Sequence, residues 1–242
     1  MLVYGFDGEP ARTAWADACL TAVKTGFVDS CFSDRSTEDN MKGLTPEVQA
    51  AYAAGHQQVQ QGLQASLDAN GQGGFVVANN GVVPKVKASM FESFGADNSS
   101  IAAVMQYIAS GRKNATGLDS QSQFDQSYLI EVHAGYHPDG SDNKCQDGVT
   151  NSLSAFLIAA QDNSYYACAS DWVVSRTDRQ WVTWWPEYSK PLGPPKADAT
   201  YDVGSSTWTR EFGAGTVVTF DAKTGTGMIK WSDGTVSEGT TA

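Results

Sequence analysis

Five apolar runs, each closing on a polar residue and most of them separated by helix-like stretches, constrain this chain more than any other feature. Residues 26–35 read Gly-Phe-Val-Asp-Ser-Cys-Phe-Ser-Asp-Arg. The runs 75–80, 88–92, 128–133 and 165–171 repeat the plan and end on Asn80, Glu92, His133 and Asp171. Strands that alternate with helices at this spacing predict a parallel sheet with helices packed outside it. In such folds the carboxyl ends of the strands form the face where ligands bind. Polar groups gathered at those ends mark a candidate site, and two carboxylates among them suit acid–base work on a glycosidic bond.

Local chemistry supports the alternation. Pro10 opens a helix over 11–23 that stops at Gly26, and Thr45 with Pro46 caps and starts a second that runs to about residue 67. Helical spacing recurs over 99–110 and 149–160. Six strands are predicted, beginning at Leu2, Phe27, Phe75, Ala88, Tyr128 and Tyr165. A (β/α)8 TIM-type barrel needs eight. The expectation is therefore an incomplete barrel of about six visible strands, its first two upstream of Met1. A doubly wound open sheet is the competing architecture, weakened because no glycine-rich phosphate loop follows the first strand.

Beyond Trp172 the texture changes. A turn-rich stretch through Pro191-Leu192-Gly193-Pro194-Pro195 leads to three short antiparallel strands over 207–212, 216–220 and 227–231, the last two a hairpin around Lys223-Thr224-Gly225. The expected division is a catalytic-type barrel over 1–195 and a β appendage over 196–242 packed on it.

The formal charge of −11 and scattered Lys and Arg argue against nucleic-acid binding, and no run of about 18 apolar residues predicts a membrane span. Four cysteines allow three complete pairings, and none has zinc-ligand spacing, so no metal is expected. Cys145 and Cys168 flank one helix–strand unit and make a plausible pair. With the sequons at Asn98 and Asn114 they fit a secreted protein, although no signal peptide precedes Leu2.

The segments Phe6-Asp7, Ala11-Arg12, Trp15, Cys19 and 26–35, followed by Tyr188-Ser-Lys-Pro-Leu-Gly-Pro-Pro195 and Trp208-Thr-Arg-Glu-Phe212, resemble a family of uncharacterised glycoside-hydrolase-like TIM-barrel proteins. The similarity spans nearly the whole chain, and its late Leu-Gly-x-Pro and Trp-x-Arg-x-Phe segments are the distinctive ones. It implies a carbohydrate-active barrel with a poly- or oligosaccharide as partner.

Within that frame Asp34 and Glu92 are the expected catalytic pair. Asp34 closes the second visible strand and takes the nucleophile's place. Glu92, among Met90, Phe91 and Phe94, sits where burial would raise a carboxyl's pKa as a general acid requires. Retention needs the two carboxyls about 5–5.5 Å apart and inversion about 6.5–9.5 Å. No cofactor is needed for this chemistry. Asp7, Asn79, Glu131, His133, Trp172 and Trp184 are the expected substrate contacts, with Glu131 also a rival acid. His56 reads as a solvated residue of a polar helix. Two readings compete with this function: a non-catalytic carbohydrate-binding barrel, which would keep the aromatic rim without a spaced carboxylate pair, and a truncated, inactive fragment of such an enzyme with exposed strand edges.

Overall fold

The computed structural model describes residues 6, 8–34, 43–71, 73–116 (backbone alone over 111–116), 128–135, 145, 148–168 and 184–240. In chain order these form α1 (Glu9–Lys24), β1 (Ser30–Ser33), α2 (Pro46–Ala69), β2 (Phe75–Asn79), β3 (Ala88–Phe94), α3 (Asn98–Thr116), β4 (Leu129–Ala134), α4 (Thr150–Ala159) and β5 (Ser164–Cys168). After a 3-10 turn at Pro186–Ser189 come β6 (Thr200–Asp202), β7 (Thr207–Glu211), β8 (Val217–Asp221), β9 (Thr226–Lys230) and β10 (Val236–Glu238). The first five strands make a parallel sheet in the order β1-β2-β3-β4-β5. The last five make an antiparallel sheet in the order β10-β9-β8-β7-β6.

The α/β alternation and the antiparallel C-terminal sheet agree with the sequence. The strands follow one another in chain order, whereas a doubly wound sheet reverses its order at a switch point. Barrel closure is not seen: among the described residues the parallel sheet has five strands and no closed barrel is formed. The predicted first strand lies outside the described residues apart from Phe6, which is in a turn.

By its contacts the chain divides into two compact units, one built mainly from Met1–Met90, the other mainly from Ile130–Ala242, with the division falling inside β3 after Met90. In the first, Cys19 and Val23 of α1, Leu63 and Leu67 of α2, and Val76 and Ala78 of β2 form one apolar cluster with Val83 and Val86. Each fully buried aliphatic of this kind contributes about 1.5–3 kcal/mol. Thr45 caps α2 by accepting from the Val48 N–H, and Gln64, buried on the same helix, accepts from the Val76 N–H at 3.0 Å and so fixes the start of β2. Cys19 and Cys31 are bridged, with Cα atoms 6.1 Å apart, which ties β1 to α1.

In the second unit α4 is buried along most of its length and packs against β8 and β9. Val218, Phe220, Ile229 and Trp231 supply the sheet's buried side. The predicted Cys145–Cys168 pair forms, with Cα atoms 5.9 Å apart. Gly193 has φ +70°, and a Cβ there would stand 2.8 Å from the Ala214 backbone nitrogen, so the Leu-Gly-x-Pro segment needs its glycine.

Several boundaries differ from expectation. The second predicted strand starts at Ser30, not Phe27, because Gly26 (φ +73°) turns the chain out of α1 and leaves Phe27 92% exposed. Between β2 and β3, where no helix was predicted, Asn80 and Lys85 adopt positive φ while Val83 and Val86 turn inward to the core. β3 runs two residues past Glu92, with Ser93 at φ +59°, so Glu92 lies within the strand, not at its end. The antiparallel sheet has two edge strands, β6 and β10, that three-residue runs of exposed character did not reveal.

Candidate functional site

In the first unit the sheet's alternation sorts β1. Cys31 is bridged to α1, and the Ser33 hydroxyl shares a hydrogen bond with His56 Nε2 of α2 at 3.0 Å, so both face the helices. Asp34, one residue on, is exposed. Asn79 at the end of β2 is 2% exposed and donates its amide N–H to Asp34 Oδ1 at 2.7 Å. The amide that the sequence offered to sugar hydroxyls is thus engaged in holding the candidate nucleophile. A charge-assisted bond from a buried donor fixes one oxygen of the carboxylate.

His56 is not the solvated residue expected. It is 5% exposed and stacked on Phe6, with ring centroids 4.9 Å apart and planes 1° from parallel. Burial lowers its pKa, and the negative charge of Asp34 works against that. Its position, three before Val59 and seven before Leu63, was the available signal, since all three lie on the buried stripe of α2.

In the second unit β4 presents Ile130, Val132 and Ala134 to the core and Leu129, Glu131 and His133 to the other face. Glu131 Oε1 and His133 Nε2 are 3.2 Å apart, with the side chains 27% and 16% exposed. Desolvation raises the pKa of Glu131 and lowers that of His133, the latter opposed by the charge of Glu92. A half-buried carboxyl with a raised pKa beside an imidazole has the chemistry of a general acid. The register pairs Glu131 with Tyr165 and His133 with Ala167 of β5. Tyr165 is 52% exposed, an aromatic neighbour of Glu131 on the same face that the sequence reading did not single out. Its alternation with the buried Cys168 and the half-buried Tyr166 was the only clue.

Asp34 belongs to the first unit, and Glu92, Glu131 and His133 to the second. Asp7 and Trp172 lie outside the described residues. Trp184 precedes the 3-10 turn and is 72% exposed. Among the described residues no helix is long and apolar enough to cross a membrane.

An α/β chain with a parallel, chain-ordered sheet and carboxylates carried on its strands has the makings of a glycoside-hydrolase-like protein. Over residues 3–216 it matches, and it belongs to, the family described as hypothetical glycosyl hydrolase family 15. Membership agrees with the resemblance read from the sequence and implies a carbohydrate substrate. No curated protein matches the chain significantly.

Proposed function

We propose that this protein hydrolyses O-glycosidic bonds of a poly- or oligosaccharide, with family membership over most of the chain as the observation that carries the reading. Asp34 is the nucleophile: one carboxylate oxygen, anchored by the buried Asn79 amide, leaves the group oriented for attack on the anomeric carbon. As the glycosidic C–O bond breaks, Glu92 gives its proton to the leaving oxygen. The same carboxylate then takes a proton from the water that displaces Asp34, so acid and nucleophile return to their starting states. Glu131 is the alternative acid, favoured by its raised pKa and its contact with His133.

The finer architecture goes with this reading. Parallel strands taken in chain order are what an arc of a (β/α)8 barrel over 1–195 would show, with 196–242 as its appendage. Two disulfides fit an oxidising compartment and hence secretion.

Reducing-end release from a panel of neutral and acidic glycans tests the roles. Asp34→Asn is expected to abolish it. Loss of the true acid, compared between Glu92→Gln and Glu131→Gln, is expected to cost about 10²–10⁴-fold on natural linkages. Wild-type rates in Asp34→Asn and Glu92→Gln together would refute the assignment, and full loss in Glu131→Gln with none in Glu92→Gln would transfer the acid role.

A further inference from the structure

Trp184 holds its indole in solvent at 72% exposure, yet the ring is braced. Its N–H donates to Ser189 Oγ at 3.0 Å, and the Tyr188 ring meets it edge-on, with centroids 5.5 Å apart and planes at 87°. Tyr188 stands edge-on to Tyr166 of β5 at 6.0 Å, and the Tyr166 hydroxyl lies 2.6 Å from Ser152 Oγ at the start of α4. The turn behind the ring is pinned from the other side as well. Lys190 reaches Asp233 at 2.6 Å and Thr235 at 2.8 Å, and Glu187 accepts from Ser237 of β10 at 3.2 Å.

A large apolar ring left open to water costs hydration free energy, and here further contacts hold it in one orientation. Because its N–H is already used, what it offers a ligand is its face. One ring is too small for a stable protein interface, which buries on the order of 1,000 Å² or more. The formal charge of −11 disfavours anionic lipids and anionic polymers. The remaining match is a flat, uncharged molecule with an apolar C–H face and polar edges that stay hydrated. Ser189, which accepts the indole N–H, sets one polar group at the edge of the ring. Bracing lowers the ordering cost of stacking.

We propose that Trp184 is a stacking platform for a pyranose ring of a neutral glycan, a binding site whose role is separate from that of the strand carboxylates. The proposal rests on the carbohydrate reading of the family and is independent of the parts given to Asp34 and Glu92.

Affinity electrophoresis of the whole chain in gels containing mixed-linkage β-glucan, xylan, galactomannan or pullulan tests it, with tryptophan fluorescence titrations using the matching oligosaccharides. At least one glycan is expected to retard the protein. Trp184→Ala should weaken that binding about tenfold or more, worth about 1.4 kcal/mol. Trp184→Phe should retain part of it, and Ser189→Ala, which frees the indole N–H, should cost a smaller factor. No retardation by any of the four glycans, or equal retardation of Trp184→Ala, would overturn the platform. Binding lost in Trp184→Ala from a protein that hydrolyses nothing would uphold it while the catalytic proposal fell; hydrolysis without binding would do the reverse.

Discussion

Replacing Arg210 by Met tests how the second unit is held together. Arg210 on β7 is 2% exposed, with Nη1 placed against the carbonyls of Leu157, Ile158 and Ala160 at 3.0, 3.1 and 2.5 Å. These are carbonyls at the end of α4, where the helix has no N–H of its own to offer them. Nε donates to the Ala197 carbonyl at 3.3 Å, and the guanidinium lies 5.5 Å from the centre of the Phe212 ring. Burial pushes its pKa down to about 10, opposed by Asp198 and Asp162, so it stays charged at neutral pH. Met fills much of the stem's volume, which isolates the loss of the donors. Each buried acceptor stripped of its donor costs about 1–3 kcal/mol. Relief from burying a cation returns several kcal/mol of this gross loss. A net destabilisation of about 3 kcal/mol remains, a drop in Tm of roughly 6–12 °C for a chain of this size. Arg210→Lys, with one compact ammonium for several scattered acceptors, should fall between the two. Differential scanning calorimetry reads all three. A Met variant melting within about 2 °C of wild type would show that charge burial cancels the capping, and the clamp would not be a net stabiliser.

Two further predictions follow from the first unit and the disulfides. His56 has its pKa lowered below 6.5 by burial, against the pull of Asp34. As pH falls through about 6.5 the unfolded chain takes up a proton that the folded chain refuses, so stability is present above that pH and is lost below it. The Tm should decline between about pH 7.5 and 5.5, more gently in His56→Gln, and parallel slopes would rule the residue out; His133, also lowered, contributes with the same sign. The bridges join cysteines 12 and 23 positions apart, which loop entropy values at about 3 kcal/mol each. Serine pairs at 19/31 and at 145/168 should each lower Tm by several degrees, and alkylation of the native, unreduced protein at any cysteine would contradict the pairing.

How far the sequence spoke depended on whether a residue acts through periodicity or through a single contact. The helices were legible because caps such as Thr45-Pro46 and apolar spacing along α2 repeat over several turns. Five of the six predicted strands were found for the same reason, and the pairing of Cys145 with Cys168 followed from one helix and one strand between the two. The errors fell where one local contact decides. Gly26 shifted the start of β1, β3 runs on through Ser93 at positive φ to Phe94, and β6 and β10 are three-residue edges that borrow their pairing from neighbours. His56 looked polar in a polar stretch because its partners, Ser33 and Phe6, are 23 and 50 residues away in sequence.

The segments that made the family recognisable have a structural meaning that bears on the site. In Trp208-Thr-Arg-Glu-Phe212, Trp208 donates its indole N–H to Asn98 Oδ1 at 2.7 Å, Arg210 caps α4 and Phe212 is buried beneath the guanidinium. In the Leu-Gly-x-Pro segment Gly193 admits the Ala214 backbone. Each of these groups is engaged within the fold, so the most distinctive part of the chain specifies how the antiparallel sheet is clamped to α3 and α4. Asp34, Glu131 and Trp184 carry no such spacing. Each lies on or beside a short element, presents part of its surface to solvent, and is held by a partner: Asn79, His133 and Ser189 respectively. A scaffold signature can therefore be matched while the reacting residues change, and the family match alone does not decide whether Glu92 or Glu131 is the acid. The comparison of Glu92→Gln with Glu131→Gln does, because only the carboxyl that protonates the leaving oxygen should matter less as the leaving group becomes more acidic.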